Sequence, residues 1–329
     1  MMSLGHHSQP HRHPRMNSAA AILVEMARDS GKPVMAEFDL FLLAKQLFRD
    51  RGYRDQSLPP RNRELSARRA RKLLGEATRD PALSFPEARP TDRLPRDAEF
   101  ASAIFVAGEG DAAAVMMAAD PFCYLSHASA LAHHGLSHQE GPDLQVSTPE
   151  RGMWAAWARA LMSAALDFDI ADADEDDLPF PLIRPRPGAS IRGRALHRHE
   201  TGFPVTPVSD GAVRTAPVGA TFRDTLDAPA WCGGIAAVIS IWRHHARDHL
   251  EAIIAAIDES REKIVRVRAG YLLEEVLGIA DPRIETWLAD AQRGSSRKLD
   301  SASPYASRFS ARWMLSINLP DPDLPATTR

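Results

Sequence analysis

Four histidines, at positions 127, 133, 134 and 138, lie within twelve residues of this chain. Imidazole nitrogens bind zinc and related metals, and they act as general bases near neutral pH. One hypothesis is therefore a metal-dependent hydrolase or nuclease that uses the cluster from His127 to His138. Its acidic groups would come from carboxylates elsewhere in the chain, namely Asp143, Asp224, Asp227, Glu274 and Glu275.

The spacing of these residues argues against such an enzyme. The H-E-x-x-H motif of helical zinc sites is absent, and no acidic residue or cysteine lies inside the histidine cluster. Ser126 directly precedes His127, but adjacent residues on a helix do not face each other. The chain also lacks a G-x-S-x-G motif, a P-loop and a G-x-G-x-x-G turn. We therefore expect a binding protein that is not an enzyme and has no metal and no cofactor.

A basic segment between positions 49 and 96 contrasts with the net charge of −3 for the whole chain. Residues 64–80 have apolar side chains at helical spacing, and basic side chains cover most of the remaining circumference. This pattern is typical of the DNA-reading helix of a winged helix-turn-helix, and the β-rich segment after it would be the wing. The expected DNA contacts are Arg61, Arg63, Arg68, Arg69, Arg71, Lys72, Arg93 and Arg96. A basic helix that is merely solvated is the alternative interpretation.

The composition bounds the class of protein. The chain has 329 residues, of which 44% are hydrophobic and 25% charged, as in globular proteins of about two domains. Two distant cysteines cannot form a disulfide framework, and no apolar stretch has the length of a membrane helix. These features predict a cytoplasmic protein. We expect a disordered tail at 1–15, a winged-helix domain at 16–110, a larger domain at 111–319 and a second tail at 320–329.

The larger domain is predicted to mix helices and strands. Ser126 should cap a short helix that ends at Gly135, and residues 143–149 should form a strand. Short strands separated by proline and glycine are expected over 180–218, starting with 180–185. Helical spacing of apolar residues then extends from 221 to 291. The predicted fold class is α+β, with an N-terminal winged helix-turn-helix followed by a larger mixed α/β domain.

Several segments of this larger domain, taken in order, resemble the C-terminal domain of the AbiEi family. They are "YLSHASALAHHGL" with "LQVSTP", "VGATFRDTLDAPAWCGGIAAVISIW", "RAGYLLEEVLG", and "KLDSASP" with "RWMLSINLP". Members of this family are antitoxins and transcriptional repressors of type IV toxin–antitoxin systems, which are linked to abortive infection by phage. The chain departs from the family at 220–225, where Phe222 and Arg223 replace the usual Glu-Arg pair.

The resemblance implies a repressor that binds inverted repeats upstream of its own gene. It also implies a nucleotidyltransferase-like toxin as functional partner, which the antitoxin counteracts without forming a stable complex. A third interpretation is a protein-interaction module, in which the helices of 233–291 dock a partner and no DNA is bound.

Overall fold

The computed structural model gives a mixed α+β protein. It describes residues 18–32, 34–59, 64–84, 103–106, 111–137, 141–170, 174, 177–185, 190–292 and 297–319. The predicted tails at 1–15 and 320–329 lie outside the described residues. So do four of the predicted DNA contacts, Arg61, Arg63, Arg93 and Arg96.

The chain divides into two compact units. The first comprises residues 1–110 and 156–184, and the second comprises residues 111–155 and 185–329. Within the described residues, no helix has the length and apolar character that crossing a bilayer requires.

The described residues before 110 in the first unit form three helices and a small antiparallel sheet. The helices are α1 (Ser18–Asp29), α2 (Glu37–Asp50) and α3 (Ala67–Ala77). The strands are β1 (Val34–Ala36), the hairpin of β2 (Gly52–Tyr53) and β3 (Gln56–Ser57), β4 (Leu83–Ser84) and β5 (Ala103–Val106). The sheet order is β1-β5-β4, in which β5 pairs antiparallel with both neighbours.

Local chemistry explains the start and the orientation of α3. The Ser66 side chain accepts a hydrogen bond from the Arg69 amide at 3.4 Å, which satisfies one of the free N–H groups of the first turn. Leu73, Leu74 and Ala77 recur at helical spacing and are buried. The helix therefore packs one face into the core and turns the opposite face to solvent.

The second unit contains a six-stranded mixed sheet. Its strands are β6 (Tyr124–Leu125), β7 (Leu144–Pro149), β8 (Ser190–Ile191), β9 (Arg194–Thr201), β10 (Val208–Asp210) and β11 (Val213–Thr215). Their order is β10-β11-β6-β7-β9-β8. The β7–β9 pair is parallel along its length, and β6 pairs antiparallel with β7.

The predicted strand at 180–185 is wrong. These residues pair with no other strand of the described chain. Pro179, Pro181 and Pro185 lie in or beside the segment, and a proline cannot donate to a β-ladder.

Helices make up most of the rest of the second unit, and the one that starts at Arg151 continues beyond residue 155 into the first unit. They are α4 (Ala112–Ala119), α5 (His127–His133), α6 (Arg151–Leu166), α7 (Val218–Asp227), α8 (Ile235–His245), α9 (Leu250–Asp258), α10 (Lys263–Gly270) and α11 (Pro282–Thr286). A π-helical turn, Tyr271–Val276, extends α10, and 3₁₀ turns lie at Pro229–Cys232 and Trp287–Asp290. A short hairpin, β12 (Phe309–Ser310) with β13 (Leu315–Ser316), follows.

The helical core is built around large aromatic side chains. Phe222, Trp242 and Trp313 are fully buried, and the rings of Phe222 and Trp242 meet edge to face at 5.3 Å. Such burial fixes the positions of α7 and α8, on which several residues of the cavity described below depend.

Residues 156–184 group with the first unit, although the sequence assigned them to the larger domain. The Phe180 ring lies 5.9 Å from the Phe41 ring of α2, and the Lys45 ammonium lies 5.9 Å from the Phe168 ring. These contacts involve residues distant in sequence, so composition along the chain does not reveal them.

Candidate functional site

The exposed side of α3 presents three of the predicted DNA contacts. Arg68, Arg71 and Lys72 are exposed and follow i, i+3, i+4 spacing, so they lie on one face. The Lys72 ammonium lies 3.8 Å from the Glu76 carboxylate, and its side chain remains 73% exposed. We call these three residues the α3 basic face. Their spacing and exposure suit contacts with successive phosphates.

Arg69 differs from its neighbours. Its Nη1 donates to the Glu64 carbonyl at 2.9 Å, and its guanidinium carbon lies 5.8 Å from the centre of the Phe48 ring. The side chain is half-buried. Arg69 therefore supports the packing of α3 on α2, and it is not part of the α3 basic face.

A second feature is a cavity of about 400 Å³ in the second unit, which we call the histidine cavity. The sheet register explains part of its wall. Tyr124 of β6 lies opposite Ser147 of β7, which in turn lies opposite His199 of β9, and all three residues line the cavity. Neighbouring strands thus place three polar side chains in a row.

The remaining wall comes from α5, α7 and loops. His127 begins α5, Arg223 and Asp224 belong to α7, and Trp231 lies in the 3₁₀ turn Pro229–Cys232. The full lining is Tyr124, His127, Ser147, His199, Glu200, Thr201, Phe203, Arg223, Asp224, Asp227, Trp231, Glu259, Ser260, Arg261, Glu262 and Val265.

His127 has an unusual backbone conformation, with φ of 49°. Non-glycine residues rarely adopt this left-handed region, although histidine and asparagine tolerate it better than most. The preceding residue, Ser126, is extended, so the two side chains turn towards each other. The His127 Nδ1 lies 2.9 Å from the Ser126 hydroxyl oxygen.

Ser126 occupies the predicted N-cap position of α5, but two expectations about its side chain are wrong. Its side chain makes no hydrogen bond with the amides of the first turn of α5, because its hydroxyl bonds to His127 instead. The two adjacent side chains do meet here. Side chains at i and i+1 point apart only within a regular helix, and Ser126 and His127 lie at the start of α5, where the backbone is not yet helical. The Ser126 side chain is fully buried, which keeps it from substrates as a nucleophile.

His199 and Trp231 complete an aromatic cluster with His127. The His199 and Trp231 ring centres are 3.8 Å apart, and the His127 ring lies 4.3 Å from His199 and 5.0 Å from Trp231. The His199 Nε2 lies 3.1 Å from Gln145 Oε1. An amide oxygen only accepts, so Nε2 donates and the Nδ1 of the neutral ring is left as an acceptor.

Burial controls protonation in this cavity. It lowers the pKa of His127 to about 3, with smaller contributions from His199 and Arg223. Burial and then His197 lower the pKa of His199 to about 4. Burial also raises the pKa of Asp224 to about 6, although Arg223 at 3.1 Å opposes the rise. Both imidazoles are therefore neutral at pH 7, and the Asp224 carboxyl is mostly ionised.

The other residues of the proposed metal enzyme are separate from this cavity. The His134 Nε2 lies 2.8 Å from the Ala216 carbonyl oxygen, and Asp143 bonds to His197 at 3.0 Å. Glu274 accepts from Arg312 and from the Trp313 indole, and Glu275 accepts from Ser310.

Of the predicted acidic residues, only Asp224 and Asp227 join His127 in the cavity, and His133 does not line it. His138 lies outside the described residues. Across the described part of the chain, no three His, Cys, Asp or Glu side chains form a group that could hold a metal.

Sequence reasoning did not single out His199 and Trp231. The signal available was "HRH" at 197–199, since residues two apart in a strand share one face. That alternation places His197 and His199 on the same face of β9, but it does not reveal which residues of other strands lie next to His199.

We predict that His127 makes the folded protein sensitive to acid. The folded state keeps His127 neutral down to about pH 3, whereas its ordinary pKa is 6.5. Its contribution is complete above pH 6.5 and is lost as the pH falls, because only the unfolded chain takes up the proton. Between pH 7 and 5, the free energy of unfolding should fall by about 2 kcal/mol more in the wild type than in His127→Asn.

Urea denaturation at the two pH values measures this difference. Asparagine is chosen because it tolerates the positive φ of position 127. His133→Asn, at an exposed position of the same helix, is the control and should keep the wild-type pH dependence. Equal pH dependence in His127→Asn and the wild type would contradict the prediction.

Comparison with solved structures gives a distant structural similarity. No family model matches the chain, and no curated protein matches it. The crystal structure of the RV2827C protein from Mycobacterium tuberculosis is similar over 92% of both chains, with 14% identity and a TM-score of 0.46. No inference about the function of this chain follows from a similarity of that size.

Proposed function

We propose that this chain is a DNA-binding transcriptional repressor and antitoxin of the AbiEi type, and that its first unit is a winged helix-turn-helix. The observation that carries the DNA-binding half is the α3 basic face. Its three cationic side chains are exposed on a helix that Ser66 caps and whose opposite face is buried.

The order of elements in the first unit supports the winged helix-turn-helix. The helices α1, α2 and α3 precede the antiparallel pair of β4 and β5, in the place where a wing follows the reading helix. In that arrangement α3 enters the major groove, and its basic side chains neutralise phosphates on either side.

The antitoxin half of the proposal rests on the resemblance in sequence. All the segments that carry it lie in the second unit, among them 124–149, 218–242 and 268–278. The proposed partner is a nucleotidyltransferase-like toxin encoded nearby, which this chain counteracts without a stable complex. Co-expression with such a toxin should restore growth, and continued growth arrest would contradict this half of the proposal.

Fluorescence anisotropy with the upstream region of the gene, over a series of salt concentrations, tests DNA binding. Alanine at both Arg68 and Arg71 should weaken binding by at least about tenfold at moderate salt. It should also reduce the slope of log K against log salt by about 2, since each phosphate contact contributes about 0.9. Arg69 is left unchanged because its substitution would also remove its contacts with Glu64 and Phe48. A loss of stability could then be mistaken for a loss of DNA binding.

Arg28→Ala with Arg49→Ala is the matched control. These residues are exposed on α1 and α2, so the pair removes the same charge from the same unit. The control should keep the wild-type salt slope. If both double variants change the slope equally, the α3 basic face is not the interface. If the wild type binds no DNA even at low salt, the repressor proposal fails and the protein-interaction module is favoured.

A further inference from the structure

We propose that the histidine cavity binds an organic cation with N–H donors, of the guanidinium or alkylammonium class. This site is independent of the α3 basic face and of any metal. The recognised group belongs either to a small molecule or to an arginine side chain of another protein. The proposal combines unpaired ring nitrogens, an excess of carboxylates and an exposed indole in one cavity.

The first observation is a histidine of the cavity wall with one ring nitrogen that has no described protein partner. The His127 side chain is more than nine-tenths buried, since the residue is 6% exposed. Its Nδ1 bonds to Ser126, and its Nε2 has no hydrogen-bond partner among the described residues. Since His127 lines the cavity, this Nε2 is open to a ligand or to water.

The second observation is a wall rich in acceptors. The Nδ1 of His199 is an acceptor because Nε2 donates to Gln145. The carboxylates of Asp227, Glu259 and Glu262 line the same cavity, beside those of Glu200 and Asp224, which already have partners. A ligand with N–H donors can form hydrogen bonds with these acceptors, whereas a ligand that carries mainly acceptors cannot.

The third observation is the charge balance. Against five carboxylates the described lining has two guanidinium groups, and both already have partners. Arg223 pairs with Asp224 at 3.1 Å, and the guanidinium carbon of Arg261 lies 3.4 Å from the centre of the Phe203 ring. With both imidazoles neutral, the cavity is negative at neutral pH. A phosphate or carboxylate ligand would be repelled, and a cation would be attracted.

The fourth observation is the position of Trp231. Its side chain is 46% exposed at the cavity although large aromatic side chains are mostly buried, and His199 stacks on it at 3.8 Å. Indole is the best aromatic partner for a cation. The stacked histidine holds the ring in place, so little ordering is needed when a ligand binds. A volume of about 400 Å³ accommodates a guanidinium group with a short aliphatic chain.

Isothermal titration calorimetry of the full chain with agmatine tests the proposal. Agmatine carries both a guanidinium and an ammonium group. We expect saturable binding with one site per chain, weakened by added sodium chloride because the carboxylates are partly solvated. Trp231→Ala should weaken the affinity by about tenfold, the fold-change that a cation–π contact of ordinary strength predicts. Asp227→Asn, at an exposed carboxylate, should weaken it by several fold.

Trp157→Ala is the matched control, since this tryptophan is 41% exposed and does not line the cavity. It should bind agmatine as the wild type does. A capped arginine peptide is the second probe. Binding of agmatine and the peptide with similar affinity would assign the site to arginine side chains. Binding of agmatine alone would assign it to small cations.

Three results would overturn the proposal. The first is no heat of binding with millimolar agmatine or peptide. The second is an equal loss of affinity in Trp231→Ala and Trp157→Ala. The third is tighter binding of adenosine monophosphate or of zinc chloride than of agmatine, with displacement of agmatine, which would assign the cavity to an anion or to a metal. If Trp231→Ala does not fold, as judged by circular dichroism, Asp227→Asn provides the decisive comparison.

Discussion

Gly270→Ala is expected to lower the free energy of unfolding of the second unit by more than about 3 kcal/mol. Gly270 ends α10 directly beneath the indole of Trp313. A Cβ atom at this position would lie 2.1 Å from Trp313 Cη2 and 2.3 Å from Cζ3. Trp313 is fully buried, and its Nε1 donates to Glu274 at 3.0 Å, so the ring cannot move aside without losing that bond.

The matched control is Gly75→Ala in α3. No atom lies within 4 Å of a Cβ built at Gly75, and the residue is exposed. Alanine is better than glycine in a helix, so this variant should gain about 0.5–1 kcal/mol. Urea denaturation of both variants measures the two effects. Stabilisation or no change in Gly270→Ala would show that α10 and Trp313 are not packed as described.

Asp120→Ala is expected to cost about 3–5 kcal/mol of folding free energy. Asp120 is fully buried between α4 and β6. Its carboxylate accepts from Thr148 Oγ1 at 2.7 Å and from Trp154 Nε1 at 2.8 Å, and also from the Phe122 amide at 3.0 Å. Alanine removes three charge-assisted hydrogen bonds and leaves buried donors without a partner, which is the costlier part.

Asp143→Ala is the control for Asp120→Ala. Asp143 is 42% exposed and bonds to His197, which is 49% exposed, at 3.0 Å. Exposed pairs of this kind contribute little, so the loss should stay below about 1 kcal/mol. Thermal and urea unfolding of both variants give the two numbers. Similar losses in the two variants would mean that the Asp120 network does not hold the start of β6.

The helices of the first unit and the basic character of α3 were accessible from sequence. Apolar spacing, the Ser66 cap and four basic residues are local properties, and a helix of 3.6 residues per turn converts them directly into two faces. Sequence could not separate Arg69 from Arg68 and Arg71, because the contact of Arg69 with Phe48 depends on how α2 and α3 pack.

The expectations that failed share a cause. The segment 180–185 has the alternation of a strand, but pairing partners and proline positions decide whether a strand forms. Ser126 has the residue type of a helix cap, but the left-handed φ of His127 redirects its hydroxyl. Residues 156–184 look like a continuation of the larger domain, but Phe168 and Phe180 contact α2. Each outcome depends on residues far away in sequence or on one backbone angle.

The sequence by itself determined the α+β class, most helices and the exposed basic face, because these follow from neighbours within a few residues. Only the tertiary structure brought His199 to His127, which are 72 positions apart, since the parallel pairing of β7 with β9 sets that contact. The tertiary structure also decided whether a glycine-to-alanine substitution stabilises or destabilises the protein. Helix propensity favours alanine at both Gly75 and Gly270, and the presence of Trp313 reverses the outcome at Gly270, because packing distances are not encoded in local preference.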